Sequence, residues 1–170
     1  VLDLNTILSS SYLKMGAEWG KNPKELAISC DVIITCLPSP QACSAVMEGS
    51  DGVIEGLSEG KIWLEMSTTD FEEVRRIGEL VTRANGQPMD CPVSGGCHRA
   101  ATGNISIFAG GERKTFEKAL PVLKTLGRQI LHTGELGSAS ILKVATNYLA
   151  TTNLISVCEA LITCLSLIHI

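Results

Sequence analysis

Asp90-Cys91-Pro92-Val93-Ser94-Gly95-Gly96 ends a short apolar run with a hydroxyl and two positions that carry no side chain. Glycine lets main-chain N–H groups approach a ligand closely, and successive N–H groups in a turn form a concavity suited to an anion. The stretch therefore reads as a strand running into a carboxylate cradle. Further on, Gly137-Ser138-Ala139-Ser140-Ile141-Leu142-Lys143-Val144-Ala145-Thr146-Asn147 follows a helical pattern. It sets the Lys143 amine and the Asn147 amide four residues apart, so that both leave one helix face. An anion cradle is thus expected to face a proton-transfer group.

Composition narrows the class of chemistry. A chain of 170 residues is long enough for one domain with a proper core, and 45% hydrophobic against 19% charged residues excludes disorder. A net charge of −4 offers no electrostatic footprint for nucleic acid, so a small-molecule partner is expected. The seven cysteines, Cys30, Cys36, Cys43, Cys91, Cys97, Cys158 and Cys164, are odd in number and include no C-x-x-C pair. They read as reduced thiols of an intracellular compartment, cytoplasmic or mitochondrial. Cys97-His98 has no further ligands at zinc-like spacing, and no metal is expected. Val1-Leu2-Asp3 shows no targeting segment.

Taken in order, Val1 to Asn5 reads as the tail of a strand, Ile7 to Lys14 as a helix closed by Gly16, and Ala17-Glu18-Trp19 as a strand. Asn22-Pro23-Lys24-Glu25 carries an N-cap, a first-turn proline and an acid three residues after the cap, the start signal of a helix. Asp31 to Cys36 is an apolar run of strand length, expected to be buried on both faces of a parallel sheet. Leu37-Pro38-Ser39-Pro40 ends it and opens a helix capped by Ser39. Gly49 to Gly60 is a surface connection with one helical turn at Val53-Ile54. Lys61 to Met66 is a strand, and the hydroxyls of Ser67-Thr68-Thr69 with Asp70 cap a helix that stops at Asn85-Gly86. Pro88 to Val93 leads to the glycine pair, after which Ala100, Ala101 and Gly103 permit close backbone approach. Asn104 to Ala109 alternates as a half-exposed strand, Glu112 to Leu126 is an amphipathic helix, and Arg128 to Thr133 a last strand. The helix from Ser138 into the 160s is so apolar that a membrane span has to be weighed. Glu159, Ser156, Thr163 and Ser166 speak against one, and burial by protein is expected instead.

The run from Asp90 through Gly103, the Lys143/Asn147 pair and Leu64-Glu65-Met66-Ser67-Thr68 resemble the β-hydroxyacid dehydrogenases, the group of 3-hydroxyisobutyrate dehydrogenase and, more distantly, 6-phosphogluconate dehydrogenase. The likeness runs from Val1 to about Leu161. It implies an α/β Rossmann-type dinucleotide-binding domain over residues 1–133, followed over 134–170 by the start of an interdomain helix leading to an all-helical domain. No G-x-G-x-x-G follows a strand, so the chain is expected to lack the first strand and the phosphate turn, and to be weakly active at best.

The resemblance further implies which residues act. Asp3 matches the acid that binds ribose hydroxyls; Leu4 beside it supplies no cation for a 2′-phosphate, so NAD is favoured and NADP possible. Leu37 and Pro38 pack along the dinucleotide, and Thr68 meets its nicotinamide half. Oxidising a 3-hydroxy acid needs a base, a carboxylate clamp and a fixed cofactor. Lys143 is expected as the base, Asn147 as its neutral partner, and Ser94, Gly95 and Gly96 as the carboxylate clamp. Assembly into a homo-oligomer is expected through the helical domain. Two other functions stay open: a non-catalytic dinucleotide-binding assembly module, and a reductase of small aldehydes, keto acids or imines. 6-Phosphogluconate is not expected as substrate, because Arg99 alone follows the glycine pair as a phosphate ligand.

Overall fold

In the computed structural model, which describes residues 1–168, a six-stranded mixed sheet carries helices on both faces. After a 3-10 turn at Thr6–Leu8 come α1 (Ser9–Lys14), α2 (Pro23–Ser29), β1 (Val32–Thr35), α3 (Pro40–Glu48) and a second 3-10 turn at Val53–Gly56. These are followed by β2 (Ile62–Glu65), α4 (Phe71–Arg83), β3 (Gln87–Asp90), β4 (Val93–Ser94) and α5 (Cys97–Ala100). The chain continues with β5 (Ile105–Gly110), α6 (Arg113–Leu126), β6 (Gly127–Gly134) and α7 (Ser138–Ile168). The strand order is β1-β2-β3-β5-β4, with β6 on the other side of β5. β1, β2 and β3 run parallel; β5 is antiparallel to β3 and β4, and β6 is parallel to β5.

Local signals account for most boundaries. The Asn22 side chain accepts the Glu25 N–H and Pro23 opens α2, while Ser39 accepts the Ala42 N–H and Pro40 opens α3. Two clusters divide the core. Ala27, Ile33, Cys43, Met47, Trp63, Ile77 and Val81 fill the space between the sheet and α2, α3 and α4. Leu64, Met89, Ile105, Ile107, Phe116, Ala119 and Leu123 join the opposite face to α6.

Several expectations need correction. Val1–Asn5 and Ala17–Trp19 form no strand; two bonds, Val1 N to Glu18 O and Gly20 N to Val1 O, join them without building a ladder. β1 is buried on one face only: Ile34, the register partner of Leu64, is 41% exposed. The reason is that α6 packs over β3, β5 and β6 and leaves that edge bare. The α4 cap is the Asp70 carboxylate, which accepts from Glu72 N and Glu73 N, and none of the preceding hydroxyls shares the task. Ala100 and Ala101 are exposed, so they serve no close approach. The run through Pro88 to Val93 breaks in two, because the backbone leaves β2 at Cys91 and takes β5 as its partner, Phe108 N donating to Pro92 O.

Candidate active site

Asp90 is the joint of the site. Its side chain is fully buried, and one carboxylate oxygen accepts Gly137 N at 2.7 Å. The other accepts Ser140 N at 2.7 Å and Ser140 Oγ at 2.9 Å. The first turn of a helix has N–H groups without intrahelical partners and a partial positive charge, so a buried carboxylate there is satisfied on both counts. The first residue of the glycine stretch is thereby bonded to the root of α7. Gly110 is opposite Asp90 in the β3–β5 pair, and a Cβ on it would strike Asp90 Oδ1.

Lys143 stands one turn beyond Ser140, on the same helix face. It is only 8% exposed, and its amine makes no ion pair and no hydrogen bond among the described residues. Burial, which disfavours the charged form, pushes its pKa below the usual lysine value. Asn147, four residues on along the same helix, is exposed and forms no hydrogen bond with Lys143. From Asn147 to Ile168 every residue of α7 is exposed.

Ser94 ends β4, half-buried and paired with Ser106 of β5. Gly95 (φ 137°) and Gly96 (φ 81°) follow in backbone conformations that other residues adopt only under strain. The Arg99 side chain lies directly over Gly95, where its Cδ would be 2.9 Å from a Cβ at that position.

At the carboxyl ends of β1 and β2 a buried network replaces the plain turns that the sequence suggests. Glu65, fully buried, accepts from Thr35 Oγ1 at 2.5 Å, from Cys43 Sγ at 3.0 Å and from Ser67 N at 2.8 Å. Trp63 Nε1 donates to Thr35 Oγ1 at 2.8 Å, and Leu37 N donates to Ser67 Oγ at 2.8 Å. Leu37-Pro38 and Ser67-Thr68 are therefore held side by side, with Pro38 and Thr68 exposed. The Thr69 hydroxyl next to them is buried without a hydrogen-bond partner. Asp3 is exposed, lies outside any strand and accepts Asn5 N at 2.7 Å. Glu65 stands in the Leu64–Thr68 motif but nothing there or in the spacing ties it to Thr35; a lone acid in an otherwise apolar strand is the available signal. Thr35→Val keeps the shape but leaves the Trp63 N–H and a carboxylate oxygen short of partners. It is expected to lower unfolding free energy by about 1–3 kcal/mol in chemical denaturation. An unchanged denaturation midpoint would show that the network contributes nothing.

Residues 1–134 match the model of the NAD binding domain of 6-phosphogluconate dehydrogenase. A Dictyostelium discoideum protein named probable 3-hydroxyisobutyrate dehydrogenase, mitochondrial, is 30% identical over 161 residues, covering 95% of this chain and 50% of its own. The 2-(hydroxymethyl)glutarate dehydrogenase of Eubacterium barkeri is 30% identical over 160 residues, 94% of this chain and 53% of its own. The structure of Mycobacterium tuberculosis 3-hydroxyisobutyrate dehydrogenase with L-serine superposes with a TM-score of 0.88 at 25% identity, covering 94% of this chain and 54% of that one. The chain thus spans about half the length of the relatives it matches. With the match over residues 1–134 and the Rossmann-like mixed sheet in agreement, the chain belongs to the family of the NAD binding domain of 6-phosphogluconate dehydrogenase, alongside 3-hydroxyisobutyrate dehydrogenase and related hydroxyacid dehydrogenases.

Proposed function

We propose that this chain is the cofactor-binding part of an oxidoreductase that transfers hydride between NAD(P) and a small 3-hydroxy acid of the 3-hydroxyisobutyrate type. The observation that carries the reading is Lys143, a lysine 8% exposed, with no counter-ion among the described residues and a lowered pKa. Burial of the lysine disfavours its charged form, and the uncharged amine is the form that proton abstraction needs. The two relatives named as hydroxyacid dehydrogenases support the substrate class.

The turns at the ends of β1 and β2 fit a dinucleotide, because ligands of open α/β sheets lie beyond the strand carboxyl ends. Leu37 and Pro38 would hold it on one side and Thr68 on the other, with Asp3 reaching the adenosine ribose. Bound there, NAD(P) supplies the hydride acceptor. Ser94 and the N–H groups of Gly95 and Gly96 take the substrate carboxylate and fix which carbon faces the cofactor. Lys143 accepts the hydroxyl proton, and Asn147, on the same helix, orients the hydroxyl without adding charge.

By length and composition α7 is able to cross a membrane, with an 18-residue window of mean hydropathy 1.6, none of it buried. Glu159 near the centre of its apolar part favours burial by protein, so α7 is assigned to an interdomain helix, covered by an all-helical domain and a second copy; of the segment 134–170 expected to lead into that domain, residues 169 and 170 lie outside the described residues. Turnover assays on the whole oxidoreductase of which this chain would be the cofactor-binding part test the function: oxidation of small 3-hydroxy acids with NAD is expected there, and weak activity at best from the 170-residue chain alone. A protein that reduces imines or aldehydes but leaves hydroxy acids untouched would support the reductase reading. One that binds NAD and turns over nothing would support the non-catalytic one.

A further inference from the structure

Oxidation of a hydroxy acid removes a hydride and a proton, and the groups at the two ends of that reaction come from distant parts of the chain: the turn at Thr68 follows β2, and Lys143 is carried by α7. Catalytic geometry tolerates about 0.5 Å of misplacement, so the turn has to be fixed against the helix. α4 makes the contact between them. Phe71, Arg75 and Gly78 stand at i, i+4 and i+7 and share one face of α4. That face meets the residues just before α7. A Cβ on Gly137 would lie 2.6 and 2.8 Å from Cδ2 and Cε2 of the Phe71 ring and 3.4 Å from Arg75 Cγ, and a Cβ on Gly78 would strike Leu136. Gly137 has φ 92°, a conformation that suits glycine, and without a side chain it lets the ring approach the backbone itself. The Arg75 guanidinium, 5.5 Å from the ring centroid, adds a cation–π contact to the same ring.

From this contact we infer that Phe71 is a positioning residue: seated on Gly137, its ring sets the distance between the cofactor turn at Thr68 and Lys143. The inference rests on the function proposed above and names what keeps its two reacting ends aligned. Only Thr69 and Asp70 separate Thr68 from Phe71, and the connection has no slack. Ser67 and Thr69 are buried, and Ser67 Oγ accepts Leu37 N. The Asp70 carboxylate accepts Glu72 N and Glu73 N, which fixes the first turn of α4 to the end of the segment. On the far side of the contact Asp90 holds the Gly137 N–H, and Lys143 follows six residues later, roughly 9 Å along the helix axis. The path from the nicotinamide contact to the amine therefore runs through the ring on glycine. Atoms packed at contact have no room to give, so the ring is a stiff spacer. Leu136 on Gly78, two helical turns farther from Thr68, braces the same face without setting this distance. Once the ring is removed, the root of α7 can tilt about its bonds to Asp90 and carry the lysine out of line.

The test has two readouts. On the whole oxidoreductase, Phe71→Ala is expected to lower kcat for hydroxy-acid oxidation about ten-fold or more while the KM for NAD stays within about three-fold. Phe71→Tyr, which keeps the ring, should retain about half of kcat or more. On the 170-residue chain, NMR follows the Lys143 Cε signal through a pH titration. Wild type is expected to titrate below 10.5 and Phe71→Ala closer to it, because the lysine leaves its buried place. Where circular dichroism shows that Phe71→Ala does not fold, Phe71→Leu takes its place in both measurements. A folded variant that keeps kcat within about two-fold overturns the proposal, as does an unmoved Lys143 titration or a kcat loss that Phe71→Tyr shares. A plain packing role lowers the melting temperature and leaves both readouts where they were. Failure of the underlying function looks different: the wild-type enzyme then oxidises no hydroxy acid while the Lys143 titration still moves on loss of the ring, which supports the spacer and ends the reaction assigned to it.

Discussion

Lys143→Ala is expected to lower kcat for hydroxy-acid oxidation by about 10²–10⁴, the range that a positioned general base supplies. The KM for NAD should change little, since the side chain belongs to the proton-transfer end of the site. The wild-type pH profile gives the sign of the effect. An amine acts as a base only when neutral, so activity rises with pH and levels off above the pKa of Lys143. Burial places that point below the ordinary lysine value of 10.5. Stability carries the same signature. Between the depressed folded value and 10.5 the unfolded chain binds the proton and the folded chain does not, so stability increases as pH rises across that window. Lys143→Met should abolish this slope and raise the melting temperature at neutral pH while removing turnover. Activity within a few-fold of wild type in Lys143→Ala would end the assignment of the base.

Asp90→Ala is expected to be the most destabilising single change at the site, on the order of 3–5 kcal/mol by chemical denaturation. It strips two main-chain donors, Gly137 N and Ser140 N, and the Ser140 hydroxyl of a buried carboxylate. Nothing replaces it there, and total stabilities of domains are only about 5–15 kcal/mol. Asp90→Asn should recover only part of the loss, because the amide keeps one acceptor and turns its NH₂ toward groups that themselves donate. The exposed α4 cap is the natural comparison. Asp70→Ala removes two similar bonds at a surface and should cost about 1 kcal/mol. Equal losses for the two caps would mean that burial of Asp90 adds nothing.

What the sequence makes legible follows from the range of the forces involved. The caps of α2 and α3 and the stop at Asn85, which has φ 61°, depend on neighbours in the chain and are readable from the residues beside them. That Lys143 is an unusual helix lysine is legible from the scarcity of charges around it, but its burial is not: neighbouring Val144 is exposed, and Lys143 is covered because it shares a face with Ser140, which Asp90 holds against the sheet end. Contacts between distant segments are not readable in this way. Asp90 meets Ser140 only because α7 turns back over the sheet end. In the sequence Glu65 is one acid in a family motif, and its role as triple acceptor requires Thr35 and Cys43 from elsewhere in the chain. The expected strand at Val1–Asn5 fails for the complementary reason: a ladder forms only against a neighbour, and two bonds to Glu18 and Gly20 do not make one.

The fixing of α7 at its root has a mechanical result. With Asp90 gripping Ser140, the helix behaves as a lever whose pivot is next to the reacting groups. At a rise of about 1.5 Å per residue, Lys143 is roughly 4.5 Å from that pivot and Ile168 roughly 42 Å. A rigid swing that carries the tip through about 5 Å displaces the lysine backbone by only about 0.5 Å, close to the tolerance of a working catalytic geometry. Whatever grips the far arm can therefore move a long way while the chemistry at the fulcrum keeps its alignment.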